Sequence, residues 1–343
     1  MNGKRVLVTG VTGMVGSHVA AQLVERGYRV RGMVRPTSNR TGLEGVDIEW
    51  FEADLSDPPS LPPALADVDL VVHAAAHVGD WGPAEKYRAI NVLALEHLLT
   101  AAHREGRLER WIQISSLGVY PARHHYGTAE DTEPDVEGLD GYTKTKAEAE
   151  VLLKRHMDEH GFPAVIIRPG FIYGPGDRHV VPRLIERIAA GQMKLIGSGQ
   201  NLLNNTYVGN LSEAVLLALT NEQAMGETFN IRDERLVTRN EFVHAIAEYM
   251  GRPHPKHVPE RLAKAAVVPI EWFARLKGAR RAPLLTRARI KFLTQNLDFS
   301  IEKAQSVLGY RPRTDFQEGM QETLRWANNA GLLPNGPSGV DGA

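Results

Sequence analysis

Apolar residues along the first half of the chain follow two alternating rhythms. Short runs such as Val6-Leu7-Val8 and Leu70-Val71-Val72 suit buried strands, and between them apolar positions recur at helical spacing. The pattern predicts strands at 5–9, 29–34, 48–52, 70–74, 110–115 and 164–168. It predicts helices at 15–26, 90–105 and 142–160, with a short one at 60–65. Strands and helices alternating in this way build βαβ units around a parallel sheet, so the expected class is α/β with a doubly wound parallel sheet.

Beyond residue 170 the rhythm loosens. Short strands at 206–208 and 228–231 flank a helix at 211–219, and helices at 239–250 and 301–308 follow. The reading is a smaller C-terminal substrate lobe interleaved with the first unit. Residues 1–169 with 203–232 form the dinucleotide-binding part, and 170–202 with 233–327 form the lobe. The tail, 328–343, ends in a run rich in Pro, Gly and Ser and is expected to fray. No internal repeat is visible.

The first strand runs into Gly10-Val11-Thr12-Gly13-Met14-Val15-Gly16 and then a helix. That order fits a Rossmann-type pyrophosphate site: Gly10 makes the tight turn, Gly13 lets backbone approach the phosphates, and Gly16 permits close helix packing. The helix N-terminus adds N–H donors and partial positive charge. At the end of the second strand an acid would bond a ribose 2′-hydroxyl, whereas an arginine accommodates a 2′-phosphate. The chain has Val34-Arg35-Pro36-Thr37-Ser38-Asn39-Arg40 there, with no acid. Arg35, helped by Ser38 and Arg40, therefore favours NADP(H), with NAD(H) possible. Asp54 is either a contact at the adenine end or the turn former of Asp54-Leu55-Ser56-Asp57.

Tyr142 and Lys146 stand four residues apart on the predicted helix from 142, so both side chains share one face. A free phenol has a pKa of about 10 and is a poor base at neutral pH. A nearby cation favours the phenolate, and Lys146 is placed to lower the Tyr142 pKa in this way. The pair suits proton exchange beside a hydride-carrying nicotinamide.

Composition narrows the alternatives. The 343 residues are 43% hydrophobic and 24% charged, an ordinary globular balance. Lys plus Arg (40) nearly equals Asp plus Glu (41), which argues against a nucleic-acid binder. With no cysteine, disulfide scaffolds, thiolate nucleophiles and Cys-ligated metal sites are excluded, and a cytoplasmic location is expected. The opening residues read as a strand rather than a signal peptide, and no apolar run reaches the roughly 18 residues of a membrane span.

The ordered set Thr9-Gly10-x-x-Gly13-x-x-Gly16, Asp54-Leu55, His73-Ala74-Ala75-Ala76, Asn91-Val92, Ser115-Ser116, Tyr142-x-x-x-Lys146 and Arg168-Pro169-Gly170-x-x-Tyr173-Gly174-Pro175-Gly176-Asp177 resembles the extended short-chain dehydrogenase/reductase superfamily. The later runs Asn205-Thr206-Tyr207-Val208, Gly226-Glu227-Thr228-Phe229-Asn230-Ile231 and Leu308-Gly309-Tyr310-Arg311-Pro312 most resemble its 3β-hydroxysteroid dehydrogenase-like group. Bacterial members of that group include sterol and long-chain 3-hydroxy/3-keto acid dehydrogenases. The resemblance implies that Tyr142 exchanges the proton with the substrate oxygen while Lys146 holds the nicotinamide ribose. Ser116 would hydrogen-bond the same oxygen, Ser115 pointing away, and Asn91 would lie near the active site. Cofactor contacts would come from Thr12, Met14 and Val15, from Asp54 and Leu55, from Ala74, Ala75 and Ala76, and from Pro169, Phe171 and Ile172. Tyr173 would border the substrate, and paired helices would make a homodimer.

The loop Ala76-His77-Val78-Gly79-Asp80-Trp81-Gly82-Pro83 leaves the carboxyl end of the fourth strand, where open α/β sheets bind ligands. His77 and Trp81 are substrate-pocket candidates, although Trp81 can equally pack the loop. His124 and His125 lack a third ligand at metal spacing and read as part of a mobile loop, so no metal is expected. Asp177, Arg178 and Arg183 suit either a polar substrate group or a solvated helix start. From Arg252 to Lys291, Lys256, Arg261, Lys264, Arg275, Lys277, Arg280, Arg281, Arg287 and Arg289 face only Glu260 and Glu271, with Leu262, Ala266, Trp272, Phe273 and Leu276 between them. This segment suits either the lid of the substrate lobe or peripheral membrane contact through 261–281. Pro269 weighs for the lid, because it should interrupt a simple amphipathic helix.

Taken together, these residues point to an oxidoreductase interconverting a secondary alcohol and a ketone on a largely apolar substrate, sterol-like or long-chain 3-hydroxy/3-keto. A nucleotide-sugar epimerase or dehydratase with the same apparatus is the alternative, although Leu117 and Gly118 after Ser116 offer no dehydratase carboxylate. A cofactor-sensing binding protein would tend to lose the tyrosine, and Tyr142 is intact. No nucleic-acid partner is expected.

Overall fold

A computed structural model describes residues 3–79, 81–276 and 285–333. Its centre is a seven-stranded parallel sheet of β1 (Arg5–Thr9), β2 (Arg29–Val34), β3 (Ile48–Glu52), β4 (Leu70–His73), β5 (Arg110–Ile114), β6 (Ala164–Pro169) and β7 (Thr228–Ile231). The spatial order is β7-β6-β5-β4-β1-β2-β3, and every neighbouring pair is parallel. The order reverses between β1 and β4, which opens a crevice at their carboxyl ends.

Period-two alternation along β1 explains the two covering layers. Val6 and Val8 join one core with Val19, Leu23, Leu211 and Val215, whereas Leu7 joins the opposite core with Leu95, Leu98 and Leu153. Among the described residues the longer helices are α1 (Met14–Glu25), α2 (Ala94–Glu105), α3 (Gly141–His160), α4 (Val181–Ala189), α5 (Val208–Thr220), α6 (Arg239–Tyr249), α7 (Glu260–Leu276), α8 (Arg287–Thr294) and α9 (Phe316–Asn329). A third core, including Tyr173, Ile185, Phe242 and Phe316, organises the second lobe.

Several elements depart from the sequence pattern. The helix expected at 90–105 is preceded by a short one, Ala84–Arg88, and carries a π-type turn over Ala89–Leu93 before α2. A second π-type turn, Ala304–Leu308, replaces most of the helix expected at 301–308. His125–Thr128 is no mobile loop: it is a strand paired with Leu297–Phe299. Helix α7 continues through Pro269 rather than stopping there. The carbonyl that the proline ring leaves unbonded belongs to exposed Ala265, where water can satisfy it. Lys277, Arg280, Arg281, Asp80 and the tail from 334 lie outside the described residues.

Candidate active site

One cavity of about 1160 Å³ runs from the glycine turn, past the ends of β4 and β5, to the second lobe. At its cofactor end Gly10 has φ +65°, and a Cβ there would lie 2.8 Å from the Ala75 backbone. A Cβ on Gly16 would lie 2.2 Å from the Gly10 carbonyl oxygen. Only glycine permits this β1–α1 junction. The first turn of α1 has no side-chain cap and no acid, and Thr12, Gly13, Met14 and Val15 face the cavity. Its free N–H groups therefore present a seat for a pyrophosphate, so the residues present fit a dinucleotide.

At the end of β2, Arg35 and Ser38 line the same cavity in a turn in which the Arg35 amide donates to Ser38 Oγ at 3.0 Å. Arg40 does not join them: its guanidinium lies 5.0 Å over the Trp50 ring and contacts Glu52. Asp54 is the turn former and also faces the cavity: its Oδ1 accepts from the Ser56 amide at 2.8 Å and hydroxyl at 2.7 Å. The Ser56 amide, outweighing partial burial, holds its carboxyl below the usual range. Leu55, Ala74, Ala75, Ala76, Phe171 and Ile172 also line the wall. Pro169 ends β6 just behind them.

The centre of the cavity carries the candidate chemistry. Helix α3 starts at a capping box in which Asp140 Oδ1 accepts from the Thr143 amide at 2.8 Å and Thr143 Oγ1 accepts from the Asp140 amide at 3.1 Å. This start places Tyr142 on the first turn, facing the cavity on the same wall as Ser116, whose side chain acts to lower the phenol's pKa. Ser116 also faces the cavity, from the end of β5, and its Oγ accepts from the Gly118 amide at 3.0 Å. Its neighbour Ser115 is buried and donates to Glu150.

Lys146 is buried one turn after Tyr142. Its Nζ donates to the Ile114 carbonyl at 2.7 Å and lies 5.9 Å from the Tyr142 ring centre, behind the cavity wall. The expected depression of the phenol's pKa is not found. Burial pushes Tyr142 up to about 12, the Ser116 side chain opposing and the Asp140 charge adding to it. Burial also lowers Lys146 to about 8 against the pull of Glu150. Desolvation of the phenol outweighs any benefit from an ammonium that is itself desolvated.

Asn91 sits on the π-type turn and does not reach the cavity. Its Oδ1 accepts from the His77 amide at 2.7 Å, and its Nδ2 donates to the His77 carbonyl at 3.1 Å and to Thr145 Oγ1 at 3.0 Å. It therefore ties the loop after β4 to α3. His77 faces the cavity, its ring 4.6 Å from that of Tyr87. Trp81 is off the wall, and its carbonyl accepts from the Tyr87 hydroxyl at 3.0 Å. Tyr173 is fully buried in the second lobe, donating to Asp233 at 3.1 Å, which removes it from the substrate wall. Asp177 is buried and caps the start of α4, accepting from the amides of His179 and Val181 at 2.8 Å each. Arg178 and Arg183 are exposed away from the cavity.

Most of the far end of the cavity escaped sequence reasoning. Phe292 and Arg289 of α8, Leu297, Phe299 and Gln295 close it, together with Tyr120 and His125. Arg289 stands in the basic segment read as a lid and His125 in the stretch after β5 read as a loop; the others are brought to the cavity wall only by the fold, and no local motif marks them. Among the described residues, no group of three or more His, Asp and Glu could hold a metal.

The chain matches the NAD dependent epimerase/dehydratase family over residues 6–231. It is 30% identical over 325 residues to a 2-alkyl-3-oxoalkanoate reductase of Stenotrophomonas maltophilia, covering 92% of this chain and 97% of that one. It is 30% identical over 334 residues to a 3-beta-hydroxysteroid dehydrogenase of Mycolicibacterium neoaurum, covering 93% and 90%. Among solved structures, that of gox2253 superposes with a TM-score of 0.82 at 30% identity, covering 96% of this chain and 100% of the other. With the glycine cradle, the strand order and matches spanning nearly the whole chain in agreement, this protein belongs to the NAD dependent epimerase/dehydratase family and is an oxidoreductase of the extended short-chain dehydrogenase/reductase type.

Proposed function

We propose that this enzyme interconverts a secondary alcohol and a ketone on a largely apolar substrate, sterol-like or long-chain 3-hydroxy/3-keto, with NADP(H) preferred over NAD(H). The observation that carries the reading is the Tyr142–Ser116 hydroxyl pair facing a cavity with the glycine cradle at one end and Phe292, Leu297 and Phe299 at the other. A bound nicotinamide supplies or accepts the hydride. In the reducing direction the Ser116 hydroxyl donates to the carbonyl oxygen, and Tyr142 gives that oxygen its proton. Burial keeps the phenol protonated at neutral pH, which suits the acid role. Negative charge left on the phenol is stabilised by the Lys146 ammonium, and donors aimed at developing charge favour the transition state over the ground state. Arg35 at the end of β2 supports the 2′-phosphate cofactor. The relatives' reductase and dehydrogenase names, and the apolar far wall, favour a keto substrate over a nucleotide sugar.

Tyr142→Phe tests the assignment: turnover falls by about 10²- to 10⁴-fold while NADPH affinity, measured by fluorescence titration, stays unchanged. An unaffected rate removes Tyr142 as the acid. A panel of 3-keto acids, sterols and nucleotide sugars, followed at the reduced-nicotinamide absorbance, tests the substrate class. A response to nucleotide sugars alone reverses it.

A further inference from the structure

Helix α7 presents apolar side chains on both of its faces. Ala263 and Val267 turn inward and pack with Ile196 and Ile290 in a small separate core that joins α7 to α8. The opposite face is also apolar. Leu262 (62% exposed), Val268 (50%), Trp272 (59%), Phe273 (56%) and Leu276 (63%) fall on one arc at helical spacing, with Pro269 among them. No other described helix exposes so dense a set of large apolar residues. A contiguous exposed patch of this kind normally marks a contact surface.

Charge selects the occupant. Between residues 252 and 291 the sequence carries eleven Lys and Arg against two Glu. Both acids are engaged within the lobe: Glu260 pairs with Lys264 at 2.6 Å, and Glu271 accepts from the Arg287 amide at 2.7 Å while contacting its guanidinium. Arg261 and Lys264 border the apolar arc and are exposed. A second copy meeting this face about a two-fold axis would set one basic field against another, whereas an anionic surface complements it. Trp and Phe flanked by basic residues on an exposed helix are the composition that settles at the lipid headgroup boundary. With 17 residues, and no helix among the described residues able to cross a bilayer, α7 can lie on a membrane but not span it.

We propose that the outward face of α7 docks on an anionic phospholipid surface. The docked helix packs against α8, whose Ala288, Arg289 and Phe292 wall the cavity, so the contact stands directly behind its far end. The association is interfacial and electrostatically assisted, and it weakens as salt rises. It does not depend on the keto-substrate reading, because it is measured without turnover.

The test is co-sedimentation of the full chain with phosphatidylcholine vesicles and with vesicles of equal parts phosphatidylcholine and phosphatidylglycerol. The protein pellets with the anionic vesicles and stays in the supernatant with the neutral ones. Trp272→Ser with Phe273→Ser weakens partitioning at least about tenfold while leaving the melting temperature unchanged. Arg261→Glu weakens it by about fivefold. Failure to pellet with anionic vesicles overturns the proposal, as does pelleting that neither variant alters. A dimer in analytical ultracentrifugation that the double variant dissociates assigns the face to a second copy and also overturns it.

Discussion

At the residue scale, Tyr142 and Lys146 show how burial reverses an argument made from charge alone. Sequence spacing puts an ammonium one turn from a phenol, which in water would favour the phenolate. In the fold both groups are desolvated, so Tyr142 rises to about 12 and Lys146 falls to about 8. Both shifts favour the uncharged form, yet near neutral pH the phenol holds its proton and the amine, still below its lowered pKa, keeps its charge. Below about pH 8 Lys146 is protonated and supports the negative charge left on Tyr142, and above it that support is lost. The pH profile of kcat/KM for ketone reduction is therefore expected to stay level up to about pH 8 and decline beyond it. Lys146→Met should remove this decline and lower the plateau; a profile identical to that of the unaltered enzyme sinks the role given to Lys146.

At the element scale, one buried ion pair fastens together the three segments that deliver the site. Arg168 at the end of β6 and Glu150 on α3 are each about 1% exposed in their side chains and bond through Arg168 Nε and Nη2, the latter at 2.6 Å. Glu150 also accepts from Ser115, next to Ser116 at the end of β5, and Arg168 Nη1 donates to Tyr120 at 2.7 Å. Tyr142, Lys146 and Glu150 recur every four residues along α3, so the pair sets the helix's rotation as well as its position. Glu150→Ala leaves the guanidinium buried without its partner. Urea denaturation should show a loss of about 3–5 kcal/mol, and a loss below about 1 kcal/mol would mean that solvent reaches the pair. The π-type turn at Ala89–Leu93 acts at the same scale: the extra residue in its turn aims Asn91 at the His77 backbone, a displacement that helical periodicity does not register.

At the scale of the whole molecule, the cavity is a product of topology. The reversal of strand order between β1 and β4 opens the crevice, α1 supplies its phosphate end, and the second lobe closes the other. A ligand bound along its length stabilises the fold by mass action. With NADPH at about a hundredfold its Kd, the gain is roughly 2.7 kcal/mol, a rise in Tm of roughly 3–6 °C by differential scanning fluorimetry. NADH should give the smaller rise, and Arg35→Asp should invert that order; equal shifts with both cofactors would remove Arg35 as the selector. Sequence by itself determined what depends on near neighbours. The bounds of β1, β2, β3 and β7 follow from apolar runs closed by turn residues, the phosphate cradle from three glycines, and the shared face of Tyr142 and Lys146 from helical spacing. Tertiary structure alone decided the rest: the closing of the far wall by Phe292, Leu297 and Phe299, the withdrawal of Tyr173 into a core with Asp233, the engagement of Arg40 with Glu52, and the direction of the Tyr142 shift. Each of these depends on how much water is excluded by segments remote in the chain, and local periodicity carries no record of that.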